Sequence, residues 1–167
     1  MKTLLIVILS LFSTLIAFGQ DYPDSGFTNK AEAKNLRVHG IKEGKWVYYF
    51  TSRSVKDEFD SNSVDYREYF LIVYKSGKRY GIGRKYTRSG KLLHLIPYIN
   101  DKVNGMVKSY DTLTGNVFIE SPYINDKENG LEKIYMNNGK VSYQTTKYHN
   151  DKPGKTKYYD ENGNEIK

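Results

Sequence analysis

Few side chains in this chain can move a proton near neutral pH, the candidates being its three histidines, His39, His94 and His149. They stand at unlike places in the sequence, and a catalytic triad needs a nucleophile and a base oriented by a third group. No nucleophile-elbow or metalloprotease pattern accompanies them, so no catalytic residue is assigned. Asp101, Asp126 and Asp151 recur beside asparagines, in the manner of a row of oxygen ligands for a hard cation. Calcium, however, gathers about six to eight oxygens around one ion, and each of these carboxylates is followed at once by a lysine. They read as turn formers, and no metal or other cofactor is expected. The densest charge lies from Lys75 to Lys91, where Lys75, Lys78, Arg79, Arg84, Lys85, Arg88 and Lys91 occur without an acidic residue, interleaved with Tyr74, Tyr80 and Tyr86. Guanidinium and ammonium groups clamp phosphate, sulfate or carboxylate, which makes Lys78, Arg79, Arg84, Lys85 and Arg88 candidate binding residues. Trp46 is a candidate aromatic platform, since tryptophan is favoured at interfaces. Both features also have a structural reading: cations keep strand edges from pairing with other chains, and Trp46 plugs a first hairpin.

The elements that must carry these residues are set by an internal repeat. YINDKVNG runs from Tyr98 to Gly105, YINDKENG from Tyr123 to Gly130, and the shorter YHNDKPG from Tyr148 to Gly154, with the tyrosines 25 residues apart. A degenerate copy, YKSGKRYG, runs from Tyr74 to Gly81. Five residues after each closing glycine, Gly81, Gly105, Gly130 and Gly154, stands a second tyrosine, namely Tyr86, Tyr110, Tyr135 and Tyr159. Gly44 and Tyr49 share that spacing and open a first copy. Each unit divides into two strands and two turns. Gly105 to Tyr110 reads as a strand, Asp111 to Gly115 as a turn, Val117 to Tyr123 as a strand and Asn125 to Lys127 as the next turn. The predicted fold is all-β, an elongated antiparallel meander of tandem β-hairpin repeats of about 24 to 25 residues each. Pro97 and Pro122 fall at strand ends, where a missing amide hydrogen is tolerated. Residues 50–68 interrupt the period with a polar insertion that carries Asp57, Glu58, Asp60, Asp65 and Glu68, opposite in sign to the basic run. Asn29 to Leu36, with Glu32 three residues after Asn29, predicts a short helix in the lead-in.

Residues 1–19 have a signal-peptide layout, with Lys2 followed by an uncharged apolar run that is too short to span comfortably as an anchor. Cleavage after Gly19 leaves a lead-in at residues 20–43 and a repeat domain at 44–167. The chain has no cysteine, so disulfides, thiolate metal sites and a lipidated cysteine are all excluded. The expected location is periplasmic or secreted, and not that of a lipoprotein. The net charge of +7 is modestly basic. With an exported address it points away from nucleic acid and toward proteins, anionic envelope polymers or a membrane surface as partners. Sixteen tyrosines against one tryptophan suit a sheet with half-wetted faces, because a tyrosine has an apolar ring and a polar tip.

The paired glycines and tyrosines, together with the phrases GKWVYY, NDKVNG and DENGNEIK, resemble bacterial MORN-variant repeat proteins, some of which are grouped as a YwqK-like, antitoxin-labelled family. The resemblance covers Gly44 to Ile166 apart from the insertion. It implies a hairpin scaffold that works by presenting a surface, and it raises the alternative of an immunity-like neutraliser of a toxin. The expected function is that of an exported, non-catalytic protein that binds another macromolecule through its β surface. An enzyme acting on envelope polymers is the remaining alternative.

Overall fold

The computed structural model of the chain describes residues 24–51, 55–56, 66–147 and 153–166. Residues 1–23, where a leader is expected, and Tyr148, His149, Asp151 and four of the five acidic insertion residues lie outside the described residues. The elements are β1 (Leu36–Val38), β2 (Ile41–Thr51), β3 (Val55–Lys56), β4 (Tyr66–Lys75), β5 (Lys78–Thr87), β6 (Leu92–Ile99) and β7 (Lys102–Val103). They continue with β8 (Gly105–Tyr110), β9 (Val117–Ile124), β10 (Lys127–Glu128), β11 (Gly130–Tyr135), β12 (Val141–Lys147), β13 (Pro153–Tyr159) and β14 (Glu165–Ile166). The order across the sheet is β1-β2-β4-β5-β6-β8-β9-β11-β12-β13-β14, with short β3, β7 and β10 pairing back onto β2, β6 and β9. Every described pairing is antiparallel, and the all-β meander expected from the repeat is what forms.

The register explains why the repeat has its residues. Gly44 lies opposite Tyr74, Gly81 opposite Tyr98 and Gly105 opposite Tyr123. In these three units a residue with no side chain thus faces a tyrosine next to the end of a neighbouring strand, whereas Gly130 faces Lys147. The tyrosine five residues on falls on the opposite face, because side chains alternate along a strand. At that second tyrosine the register shifts: Tyr86 pairs with Leu92, Tyr110 with Val117 and Tyr135 with Val141, each next to a β-bulge. The turn pairs Asn100–Asp101 and Asn125–Asp126 all have positive φ, the backbone of a type I′ hairpin turn. Beyond those turns the ladder breaks at the prolines. Pro97 and Pro122 have no amide hydrogen to give, and their carbonyls accept instead from Asn104 and Asn129 at 3.0 and 2.9 Å.

Two expectations are corrected in the lead-in and the insertion. The helix predicted from Asn29 shrinks to one 3-10 turn, Lys30–Glu32. Its cap does form, with the Ala31 amide donating to Asn29 Oδ1 at 3.0 Å. The helix stops because the edge of β2 competes for the following backbone. The Lys34 and Asn35 amides donate to the Lys45 carbonyl, and the Asn35 side chain accepts from the Val47 amide and donates to the Val47 carbonyl. The insertion assigned to residues 50–68 is narrower, since β2 runs on through Thr51 and β4 begins at Tyr66. Glu68, read as part of that insertion, is a strand residue.

The apolar core gathers at one end of the sheet, on its two faces. On one face Val47, Tyr49, Tyr69 and Leu71 are buried beneath Phe27 of the lead-in, which is itself 1% exposed. On the other, Trp46, Phe70, Ile72 and Tyr98 form a second cluster, flanked by Tyr48, Phe50, Tyr74 and Ile96. The second cluster has no such lid among the described residues.

Candidate functional site

The face opposite Phe27 carries a shallow groove of about 350 Å³, lined by Tyr48 and Phe50 of β2, Phe70 and Tyr74 of β4, Arg79 and Lys85 of β5, and Ile96 and Tyr98 of β6. Strand alternation puts them together: Trp46, Tyr48 and Phe50 share one face of β2, as do Phe70, Ile72 and Tyr74 on β4. The floor is low because β5 contributes Gly81 and Gly83 opposite Tyr98 and Ile96. A Cβ on Gly83 would lie 2.4 Å from the Phe70 ring and 3.1 Å from that of Tyr98. These two rings meet over the glycine edge to face, with centroids 6.3 Å apart.

Polar groups are fixed around these rings. The hydroxyls of Tyr48 and Tyr74 are 2.9 Å apart, and Lys42 Nζ donates to the Tyr48 hydroxyl at 2.7 Å while lying 4.6 Å from the centre of the Trp46 ring. Burial, with help from the Tyr48 hydroxyl, pushes the Tyr74 phenol far above its ordinary range. Burial also raises Tyr98, against the pull of Arg79. The Arg79 guanidinium lies over the Tyr98 ring at 4.4 Å, bonds Asp101 Oδ1 at 3.1 Å and donates to the Asp101 carbonyl at 2.7 Å. Lys85 Nζ sits 4.9 Å over the Phe50 ring and is paired with Glu68. His94, beside Lys85 on β6, is pushed down by burial and by that ammonium, and its Nδ1 is 3.0 Å from Ser109 Oγ.

Of the six residues that the sequence offers as a binding set, the structure brings Arg79 and Lys85 together in the groove. Trp46 lies beside them but is only 2% exposed, stacked on Tyr48 and edge-on to Tyr74, with its indole donating to the Glu43 carbonyl. It supports the groove from the side, through the stacked Tyr48 ring. Arg84 points to the opposite face, 7% exposed and paired with Asp24 of the lead-in. Lys78 is exposed where β5 begins, and Arg88 lies in the turn after β5 with its guanidinium 5.4 Å from the Tyr66 ring. A basic run on one strand is necessarily split between two faces. Sequence reasoning passed over Tyr48, Phe50, Phe70 and Ile96. The signal that could have found them is their parity with Trp46 and Tyr74 once Gly44 is set against Tyr74.

The repeated aspartates act between units. Asp101 accepts from the Arg79 amide at 2.9 Å, and Asp126 from the Val103 amide at 2.7 Å, while the amides of both aspartates donate back to the carbonyls of Arg79 and Val103. Each type I′ turn is thereby clipped to the hairpin before it. Among the described residues no group of three histidines or carboxylates gathers to hold a metal, and no helix is long and apolar enough to cross a membrane. His39 occupies the exposed turn before β2, on a different element from His94. No family model matches the chain, and neither the curated proteins nor the solved structures contain a match to it.

Proposed function

We propose that this chain is an exported, non-catalytic repeat protein that binds another macromolecule of the cell envelope through the open face of its sheet. The observation that carries the reading is the inequality of the two faces at the aromatic end. One is sealed by Phe27 and the segment around it, and the other leaves Tyr48, Phe50, Tyr74 and Ile96 half-buried around a groove. A concave, mostly aromatic surface with a few convergent polar groups is the usual form of a recognition site. Its floor belongs to paired inner strands, so it is rigid before any partner arrives, which lowers the ordering cost of binding. The resemblance to hairpin-repeat scaffolds and the leader-like N-terminus agree with this role.

The test is capture from the native envelope with the full chain, expressed with its leader and tagged at the C-terminus. Phe50→Ala, which removes one groove wall, should reduce recovery of whatever the unaltered protein retains, with far-ultraviolet circular dichroism unchanged. Equal recovery by a folded Phe50→Ala protein counts against the groove as the binding face.

A further inference from the structure

The electrostatics of the groove restrict what it can take. Arg79 is held by Asp101 through both its side chain and its carbonyl, and Lys85 is held by Glu68. An anion entering here meets cations whose charge is already balanced, and gains little unless it displaces a carboxylate. Each pair instead offers a donor and an acceptor side by side, and Tyr48 and Tyr74 add two linked hydroxyls. Between them lie the faces of aromatic rings. The floor gives no backbone partner to an extended peptide, because β4, β5 and β6 are paired with one another across it, and strand addition takes place at an edge.

We propose, resting on the binding-face reading above, that the groove is a subsite for a neutral saccharide chain. A pyranose has a face of C–H bonds and a rim of hydroxyls that both donate and accept. Its C–H face fits against the half-buried rings of Phe50 and Tyr48, beside the Lys85 ammonium that already lies over Phe50, while Tyr98 is buried under the Arg79 guanidinium. Its hydroxyls exchange hydrogen bonds with the Arg79–Asp101 pair on one side and the Lys85–Glu68 pair on the other. Those groups are already positioned by their mutual bonds, so a sugar replaces surface water without reorganising the protein. A volume of about 350 Å³, open to solvent, suits a short stretch of chain that enters and leaves at the ends of the groove.

The test is isothermal calorimetry of the full chain with soluble oligosaccharides of glucose and of N-acetylglucosamine, and with polyglutamate and a proline-rich peptide as rival probes, at low and at high salt. At least one oligosaccharide should bind saturably, with an affinity that changes less than about twofold with salt, as expected where no net charge is neutralised. Phe50→Ala should weaken it about tenfold or more. Tyr48→Phe, which keeps the ring and removes only the hydroxyl, should weaken it by a smaller factor and covers the case in which Phe50→Ala fails to fold. Absence of saturable binding by either sugar series overturns the inference, as does binding indifferent to both substitutions. Groove-dependent binding of polyglutamate or of the proline-rich peptide alone overturns the saccharide but leaves the binding-face reading standing. Envelope capture that ignores Phe50→Ala removes that reading as well.

Discussion

Gly83 and Arg84 are neighbours in sequence, yet they serve opposite faces of the sheet and fail in different ways. At Gly83 the constraint is space, since Phe70 and Tyr98 already occupy the volume a methyl group would need. Gly83→Ala should therefore cost about 1–3 kcal/mol, the range for overpacking a filled core. Phe70→Leu, which withdraws the ring, should recover part of that loss in the double variant, and urea denaturation of the single and double variants measures both. At Arg84 the constraint is charge. The guanidinium is buried and its partner Asp24 half exposed. Arg84→Met leaves Asp24 able to turn to water, whereas Asp24→Ala strands a buried cation. A fully buried pair broken from one side costs about 3–5 kcal/mol, and exposure of Asp24 lowers the expectation for Asp24→Ala to on the order of 2 kcal/mol. The pair also sets a pH dependence. Burial pushes the Asp24 carboxyl up, but the Arg84 hydrogen bond, the Gly26 amide and the Arg84 charge together hold it below its ordinary value of 3.8. A carboxyl lowered by folding contributes stability that is complete above its unfolded value and lost as pH falls through its folded value. Asp24→Asn should accordingly be less stable than the unaltered protein at neutral pH and show a flatter loss below about pH 4, as followed by thermal melts across that window.

Between units, the repeated aspartate is the bond that joins one hairpin turn to the next. Asp126→Ala removes the acceptor of the Val103 amide and should destabilise by about 1 kcal/mol, while Asp126→Asn, which retains an acceptor oxygen, should restore most of it in the same denaturation assay. The sequence disclosed the presence of these turns but not their reach across units. The Asn-Asp pairs point to local turn geometry, and the partner amides lie 22 and 23 residues away. Strand limits were similarly legible where Gly and Asp mark them, as at Gly105–Tyr110. They were illegible where tertiary competition decides: the helix signal at Asn29 lost to the open edge of β2, and Thr51 and Glu68 joined strands because their neighbours across the ladder were already in place. The site was half legible for a related reason. Charge density drew attention to Lys78–Arg88, but alternation sent Arg84 to one face and Arg79 and Lys85 to the other. The aromatic walls, scattered over β2, β4 and β6, converge only when the register is known.

Across the whole molecule the aromatic core does not continue along the repeats. Every buried apolar side chain among the described residues lies between Phe27 and Tyr98, while the buried residues farther along are Ser121 and Thr145. Beyond β6 the faces are held by polar ladders instead: Ser121 donates to Glu132, Tyr135 to Glu120 and Thr156 to Thr145. Such bonds exchange with water at little net gain, each being worth about 1 kcal/mol, whereas burying a large apolar side chain is worth about 1.5–3 kcal/mol. A meander in which units contact mainly their neighbours has a stability made of local terms, so its two ends need not open together. The expected result is a gradient in native-state hydrogen exchange. The amides of Val47, Leu71 and Ile72 should open only with global unfolding. Those of Ile134, Tyr143 and Thr156 should exchange through openings that cost at least about 2 kcal/mol less. A single opening free energy shared by β4 and β12 would show that the sheet unfolds as one body and that the aromatic end does not anchor it. With the gradient, the groove sits on the part of the sheet least able to deform, and the polar strands beyond it form a hydrated extension that can loosen without disturbing the rings of Phe50 and Tyr98.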